Sequence, residues 1–145
     1  MQPSNVHEDA IRRLLDEQVA AWNAGDAEGW CRDFTADSEF VNIIGACFEN
    51  RDANVRRHEE LFATIFKGSR LAVREMKIRV LGDFTASANL VLDLTGFSKL
   101  PPGIRPSIGS DVLRTRMHYV LILDGTRWWI VFSQNNAVMP PLSPE

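Results

Sequence analysis

The chain has 145 residues, with 16 Lys and Arg against 19 Asp and Glu for a formal net charge of −3, a length that suits one domain with a buried core and space for a cavity inside it. Its positive residues are interleaved with acidic ones, which leaves no basic footprint for nucleic acid, and no uninterrupted apolar run is long enough to span a bilayer. The two cysteines, Cys31 and Cys47, sit in apolar neighbourhoods without CxxC or metal-like spacing, so they read as reduced core residues.

The N-terminal stretch "MQPSNVHEDAIRRLLDE" lacks a basic segment followed by an apolar one, which argues against a secretory signal and for a cytoplasmic protein. In "NVHEDAIRRLLDEQVAAWNAGD", Asn5 and Glu8 have the spacing of a capping box. Ile11, Leu14, Leu15, Val19 and Trp22 recur at helical spacing, and Gly25 supplies a C-cap. Gln18 falls on that apolar stripe, where an amide without partners is costly. It either lines a polar-lipped pocket or is satisfied by backbone. Asp26 can cap a short second helix, "AEGWCRDF", with Trp30 and Phe34 on one face.

"SEFVNIIGACF" reads as a first strand bent at Gly45, with Asp37 as a solvated residue near its start. A third helix follows in "DANVRRHEELFATIFKG", capped by Asp52 and stopped at Gly68, with Val55, Phe62, Ile65 and Phe66 as its apolar stripe. His58 stands on that stripe between Val55 and Phe62. The ordinary reading is a satisfied core histidine; the alternative is a ligand contact or a general base, since its pKa suits proton transfer best of any group here.

The remainder is rich in strands. "RLAVREMKIRVL" alternates as Leu71 and Val73, then changes parity to Met76, Ile78 and Val80, which predicts a β-bulge near Glu75. "FTASANLVLDLT" alternates without error and sets Phe84, Ala86, Ala88, Leu90, Leu92 and Leu94 on one face. Two alanines there leave room, which Trp22, Phe62, Phe66 and Tyr119 could surround as a cavity or simply fill. "GFSKLPPGIRPSIGS" is too long for a simple hairpin and reads as a functional or mobile loop. "MPPLSPE" is expected to be a loose tail, so order is expected over about residues 5–138.

The last two runs, "HYVLILDGTRWWIVFSQNN", form a hairpin. A two-residue turn at Asp124-Gly125 pairs Leu121 with Trp128. It then places Thr115, Met117, Tyr119, Leu121, Trp128, Ile130, Phe132 and Gln134 toward the helices. The other face carries His118, Val120, Ile122, Trp129 and Val131, too apolar for water, and is expected to form a homodimer contact. A slipped register would turn His118 inward.

Three helices followed by a meandering sheet indicate an α+β fold in a single domain, 1–145. The runs "AAWNAGDAEGWCRDFTADSEFVNIIG", "RRHEELFATIFKGSRL" and "DGTRWWIVFSQNN" resemble the nuclear transport factor 2-like superfamily, in particular its SnoaL-like (SgcJ/EcaC-type) small bacterial members. That resemblance spans about residues 7–136. It implies a cystatin-like roll, in which a cone-shaped, curved antiparallel sheet wraps the three helices around an internal pocket, usually in a homodimer. The superfamily holds isomerases, cyclases, dehydratases and pure binding modules, so fold does not give function. Its member ketosteroid isomerase needs a carboxylate base and a tyrosine in its oxyanion hole. Aligned through the "NAGD" turn, those positions fall here on Asn42 and Gln18, amides that do not transfer protons near neutral pH.

Two readings follow. One is a cofactor-independent isomerase, cyclase or dehydratase acting on an apolar carbonyl compound, with His58 as acid-base group. The other is a non-catalytic binder of a small apolar molecule, or an accessory protein whose pocket has lost its chemistry. In both, Gln18, Trp22, Asn42, Phe62, Tyr119 and Gln134 are the expected ligand contacts. No Gly-rich phosphate loop or histidine pair at metal spacing occurs, so neither a metal nor a cofactor is expected.

Overall fold

The computed structural model describes residues 3–139, with side chains from residue 6; the expected C-terminal tail beyond Met139 lies outside the described residues. Helix α1 spans Pro3–Asn23, so Asn5 lies inside it and the capping box expected there is not its start. Proline at the first helical position loses nothing, because the first turn's N–H groups have no intrahelical acceptor. Ile11, Leu14, Leu15, Gln18 and Trp22 form the buried stripe. Gly25 takes φ +68° after the helix, a left-handed conformation that glycine adopts without steric cost. Asp26 then accepts a hydrogen bond from Gly29 N at 2.9 Å to cap α2, Ala27–Cys31.

The expected first strand is in fact a hairpin. β1 spans Phe34–Val41 and β2 is only Cys47–Phe48, with Phe40 opposite Phe48. The turn is held by Asn42, whose Oδ1 accepts from Ile44 N at 3.1 Å and Ala46 N at 2.9 Å, the local mimicry of a backbone turn at which asparagine excels. Helix α3, Arg51–Ala63, is capped by Asn50 rather than Asp52, with its Oδ1 2.7 Å from Ala53 N. Asp52 sits instead in the first turn, where its charge favours the helix dipole. The buried face of α3 is Asn54, His58 and Leu61. Val55 and Phe62 flank it, and Ile65 and Phe66 follow the helix end in turns that run to Gly68.

The six strands form one open, curved sheet in the order β2-β1-β6-β5-β4-β3. It is not wholly antiparallel, because β1 runs parallel to β6. α1 packs on β3 and α2, and α3 on α2 and β1. β3, Arg70–Val80, changes register against β4 between Val73 and Glu75, where the parity slip placed the bulge. β4, Thr85–Thr95, buries Ala86, Ala88, Leu90, Leu92 and Leu94. Phe84 precedes it and is 67% exposed, so it does not belong to that face. Ala88 stands opposite Tyr119 and Ala86 opposite Leu121. The space beside the alanines is therefore taken by larger cross-strand neighbours.

β5, Leu113–Asp124, and β6, Arg127–Ala137, turn through Gly125-Thr126 rather than Asp124-Gly125. Gly125, with φ +63°, occupies the first central position, where a type II′ turn requires glycine. Sliding the turn by one residue leaves the faces near it unchanged, and Leu121, Leu123, Trp128 and Ile130 all pack toward the core. Beyond them the register shifts, because Leu121 pairs with Ile130 but Val120 pairs with Phe132. Val131 is the extra, unpaired residue of a bulge, and a one-residue slip reverses every side chain past it. Phe132 and Gln134 consequently join the outer face, opposite Val120 and His118, while Ser133 and Asn135 turn inward opposite Tyr119 and Met117. His118, Val120 and Ile122 alternate with the buried residues of β5 and are exposed, and Trp129, opposite Ile122, is half-buried.

Candidate functional site

A cavity of about 60 Å³ lies between α3 and the sheet. Trp22, Trp30, Phe66, Leu92, Leu113 and Met117 supply its buried apolar wall, and Asn42, Ile43, Arg57, Pro101 and Asn135 its half-buried rim. The sheet contributes through the far end of β4, not through Ala86 and Ala88. Pro101 comes from the 96–112 loop, which is tied down where Ser98 N donates to Ile65 O at 3.0 Å. That loop thus forms part of the cavity's edge.

His58 lines the cavity from α3 and is 3% exposed. Its Nδ1 is 3.0 Å from the carbonyl oxygen of Asn54, one helical turn earlier. A carbonyl only accepts, so Nδ1 carries the proton and Nε2 keeps a lone pair. Burial, reinforced by the nearby positive charge of Arg57 and opposed by the Asn54 hydrogen bond, lowers the His58 pKa to about 4. The imidazole is therefore neutral at pH 7. No Asp, Glu, Tyr or Cys is among the described residues that line the cavity. Arg57, at the rim, is held 3.2 Å from Glu60 by an exposed ion pair.

The other expected contacts divide. Trp22 and Asn42 line the cavity with His58. Gln18 and Tyr119 do not: they are buried together behind it, where Tyr119 Oη donates to Gln18 Oε1 at 2.8 Å and Gln18 Nε2 donates to Trp30 O at 3.1 Å. The backbone alternative for Gln18 is thus half of the answer, and Tyr119 is the other half. Burial raises the Tyr119 pKa, so its hydroxyl stays protonated and structural. Phe62 is half-buried on the flank of α3 and meets Trp22 edge-on, with ring centroids 4.8 Å apart; it does not reach the cavity. Gln134 is carried to the outer face by the Val131 bulge, and Asn135 takes the inward place.

Two cavity residues carry buried polar atoms without a hydrogen-bond partner among the described residues: Trp30 through Nε1 and Asn135 through Oδ1. Trp22, whose ring centroid is 5.1 Å from that of Trp30, differs in this respect, because its Nε1 donates to Ser69 Oγ at 3.0 Å. Trp30, Asn135, Leu61 and Arg57 were not identified from the sequence as contacts. Trp30 looks like a core residue of a short helix, and the bulge that turns Asn135 inward falls within an all-apolar run. The third member of that open set is His58 Nε2.

No family model matches the sequence, and no curated protein matches it. Solved structures do match. An uncharacterized protein with a cystatin-like fold from Caulobacter vibrioides superposes with a TM-score of 0.79 at 24% identity, over 92% of this chain and 90% of that one. A candidate scytalone dehydratase from Novosphingobium aromaticivorans gives a TM-score of 0.76 at 17% identity, over 94% and 87%. An NTF2-like protein of unknown function from Pseudomonas putida gives 0.76 at 17% identity, over 97% and 98%. At these identities the likeness establishes the fold, which is the cystatin-like, NTF2-like one.

Proposed function

We propose that this protein binds a small, uncharged, mainly apolar molecule in the cavity above His58. The observation that carries this reading is the neutral imidazole, fixed in one tautomer and set in an apolar wall with no carboxylate beside it. Apolar clefts with a few convergent polar groups are the common form of a small-molecule site. A charged ligand would lose its hydration there without gaining a buried counter-ion. The cavity is small, about 60 Å³, so a larger ligand displaces the rim, where Ile43 and Pro101 are only half-buried.

Binding without chemistry suits the site better than catalysis does, because a base whose pKa is near 4 has no acid within the cavity to work with. One observation favours a second reading. The free Nε2 of His58 is an acceptor held in a water-poor site, the arrangement of a weak base that takes a proton from a carbon acid or an alcohol. The fold neighbour named as a candidate scytalone dehydratase makes dehydration of a hydroxylated cyclic ketone the first reaction to assay.

Native mass spectrometry of the protein purified from its own host is expected to show one co-purifying neutral species. Dehydration and isomerisation are then measured on that species with the unaltered protein and with His58→Gln. Binding without turnover by either supports the first reading. Turnover abolished by His58→Gln supports the second, and turnover unchanged by it removes His58 from the mechanism.

A further inference from the structure

Trp30 is an odd residue to leave with an open donor. It is 2% exposed, its carbonyl oxygen is already used by Gln18 Nε2, and its ring packs against those of Trp22 and His58, which also meet each other. An indole N–H can only donate, and a buried one without an acceptor destabilises the fold. The adjacent Trp22 shows that the sequence can satisfy such a group, with Ser69 placed to receive it. The Trp30 and His58 ring centroids are 5.6 Å apart with the planes tilted by 37°. One group thus offers a proton and the next offers a lone pair, on neighbouring rings that both line the cavity.

We propose that Trp30 and His58 read a hydroxyl group on the buried end of the ligand, so that the substrate class is an uncharged alcohol or phenol. The hydroxyl oxygen accepts from Trp30 Nε1, and its proton is donated to His58 Nε2. A carbonyl would answer Trp30 alone and leave His58 without a donor. An ammonium would answer His58 and set its own N–H groups against the indole N–H. A carboxylate would satisfy Trp30 but oppose the His58 lone pair. Asn135, with its amide oxygen also open, can serve a second polar group, as donor or as acceptor according to which way its amide is turned. The inference rests on the binding reading above, which requires only that the cavity take an apolar molecule.

The test uses a matched pair of probes, phenol and toluene, which differ by a hydroxyl in place of a methyl. Dissociation constants are measured by quenching of tryptophan fluorescence, and the indole N–H resonances are followed in ¹⁵N-labelled protein. Phenol is expected to bind at least about tenfold more tightly than toluene, as befits two buried hydrogen bonds less the cost of desolvating the hydroxyl. The Trp30 indole proton is expected to move downfield with phenol and not with toluene. In Trp30→Phe, which keeps a ring and removes the N–H, the ratio of the two dissociation constants should fall to what the hydrogen bond to His58 alone supplies. Equal affinities in the unaltered protein, or a phenol preference undiminished in Trp30→Phe, overturn the hydroxyl reading and leave the binding reading intact. If neither probe binds, the binding reading fails and takes this inference with it. Should Trp30→Phe not fold, the indole resonance decides: a Trp30 shift that is the same for both probes overturns the proposal.

Discussion

Two neighbouring sets of buried polar groups, one behind the cavity and one around it, are treated in opposite ways. Behind the cavity, Tyr119, Gln18 and the carbonyl of Trp30 form a closed chain, and Trp22 is matched by Ser69. Around the cavity, Trp30 Nε1 and Asn135 Oδ1 are left open among the described residues, and His58 is tied through one nitrogen only. A satisfied buried network adds rigidity and specificity, whereas an open one costs stability in the free protein. The contrast separates architecture from recognition within a few ångströms, and Trp30 belongs to both sets.

The largest expected effect breaks the open set by protonating it. The folded-state pKa of His58, about 4, lies below its ordinary value of 6.5, so between these values the unfolded chain binds more protons than the folded one. Stability is therefore full above pH 6.5 and falls as the pH drops toward 4, at up to about 1.4 kcal/mol per pH unit and by roughly 3 kcal/mol in all. Urea denaturation across that window should show the loss, and His58→Gln should flatten it. A slope that is the same in both proteins would show that His58 is not buried as a neutral group.

A middle-sized effect breaks the closed set. Tyr119→Phe leaves Gln18 Oε1 buried without its donor and should cost about 1–3 kcal/mol, read from the urea midpoint. The smallest effect sharpens the contrast, since Asn135→Leu removes a group that the free protein leaves unpaired. It should change stability by less than about 1 kcal/mol, in either direction. If Asn135→Leu proved as costly as Tyr119→Phe, the two sets would not differ in kind.

Most of the fold was legible because its signals are local. The β3 bulge shows where Leu71 and Val73 give way to Met76, Ile78 and Val80, with charged residues marking the other face. His58 could be placed because it interrupts an apolar stripe, although the buried face of α3 is centred on Asn54, His58 and Leu61 rather than on Val55 and Phe62. The β6 bulge left no such trace. From Trp128 to Phe132 every residue is apolar, so no parity change is written there, and Gln134 was taken for Asn135. Phe62 and Tyr119 lie outside the cavity's lining for a different reason: large aromatic side chains on a core-facing stripe do not reveal whether they meet a cavity or one another. The open donor on Trp30 is legible only in three dimensions, since it depends on what its neighbours lack.

Val131 carries a last consequence. One residue without a partner lets Ile130 and Ser133, three positions apart, both look inward: deleting Val131 would leave an unbroken alternation with Ser133 and Asn135 still at the wall, whereas pairing Val131 into a regular ladder would exchange them for Phe132 and Gln134. Point substitution changes a recognition surface one side chain at a time; a shift of frame within a strand replaces a whole row at once.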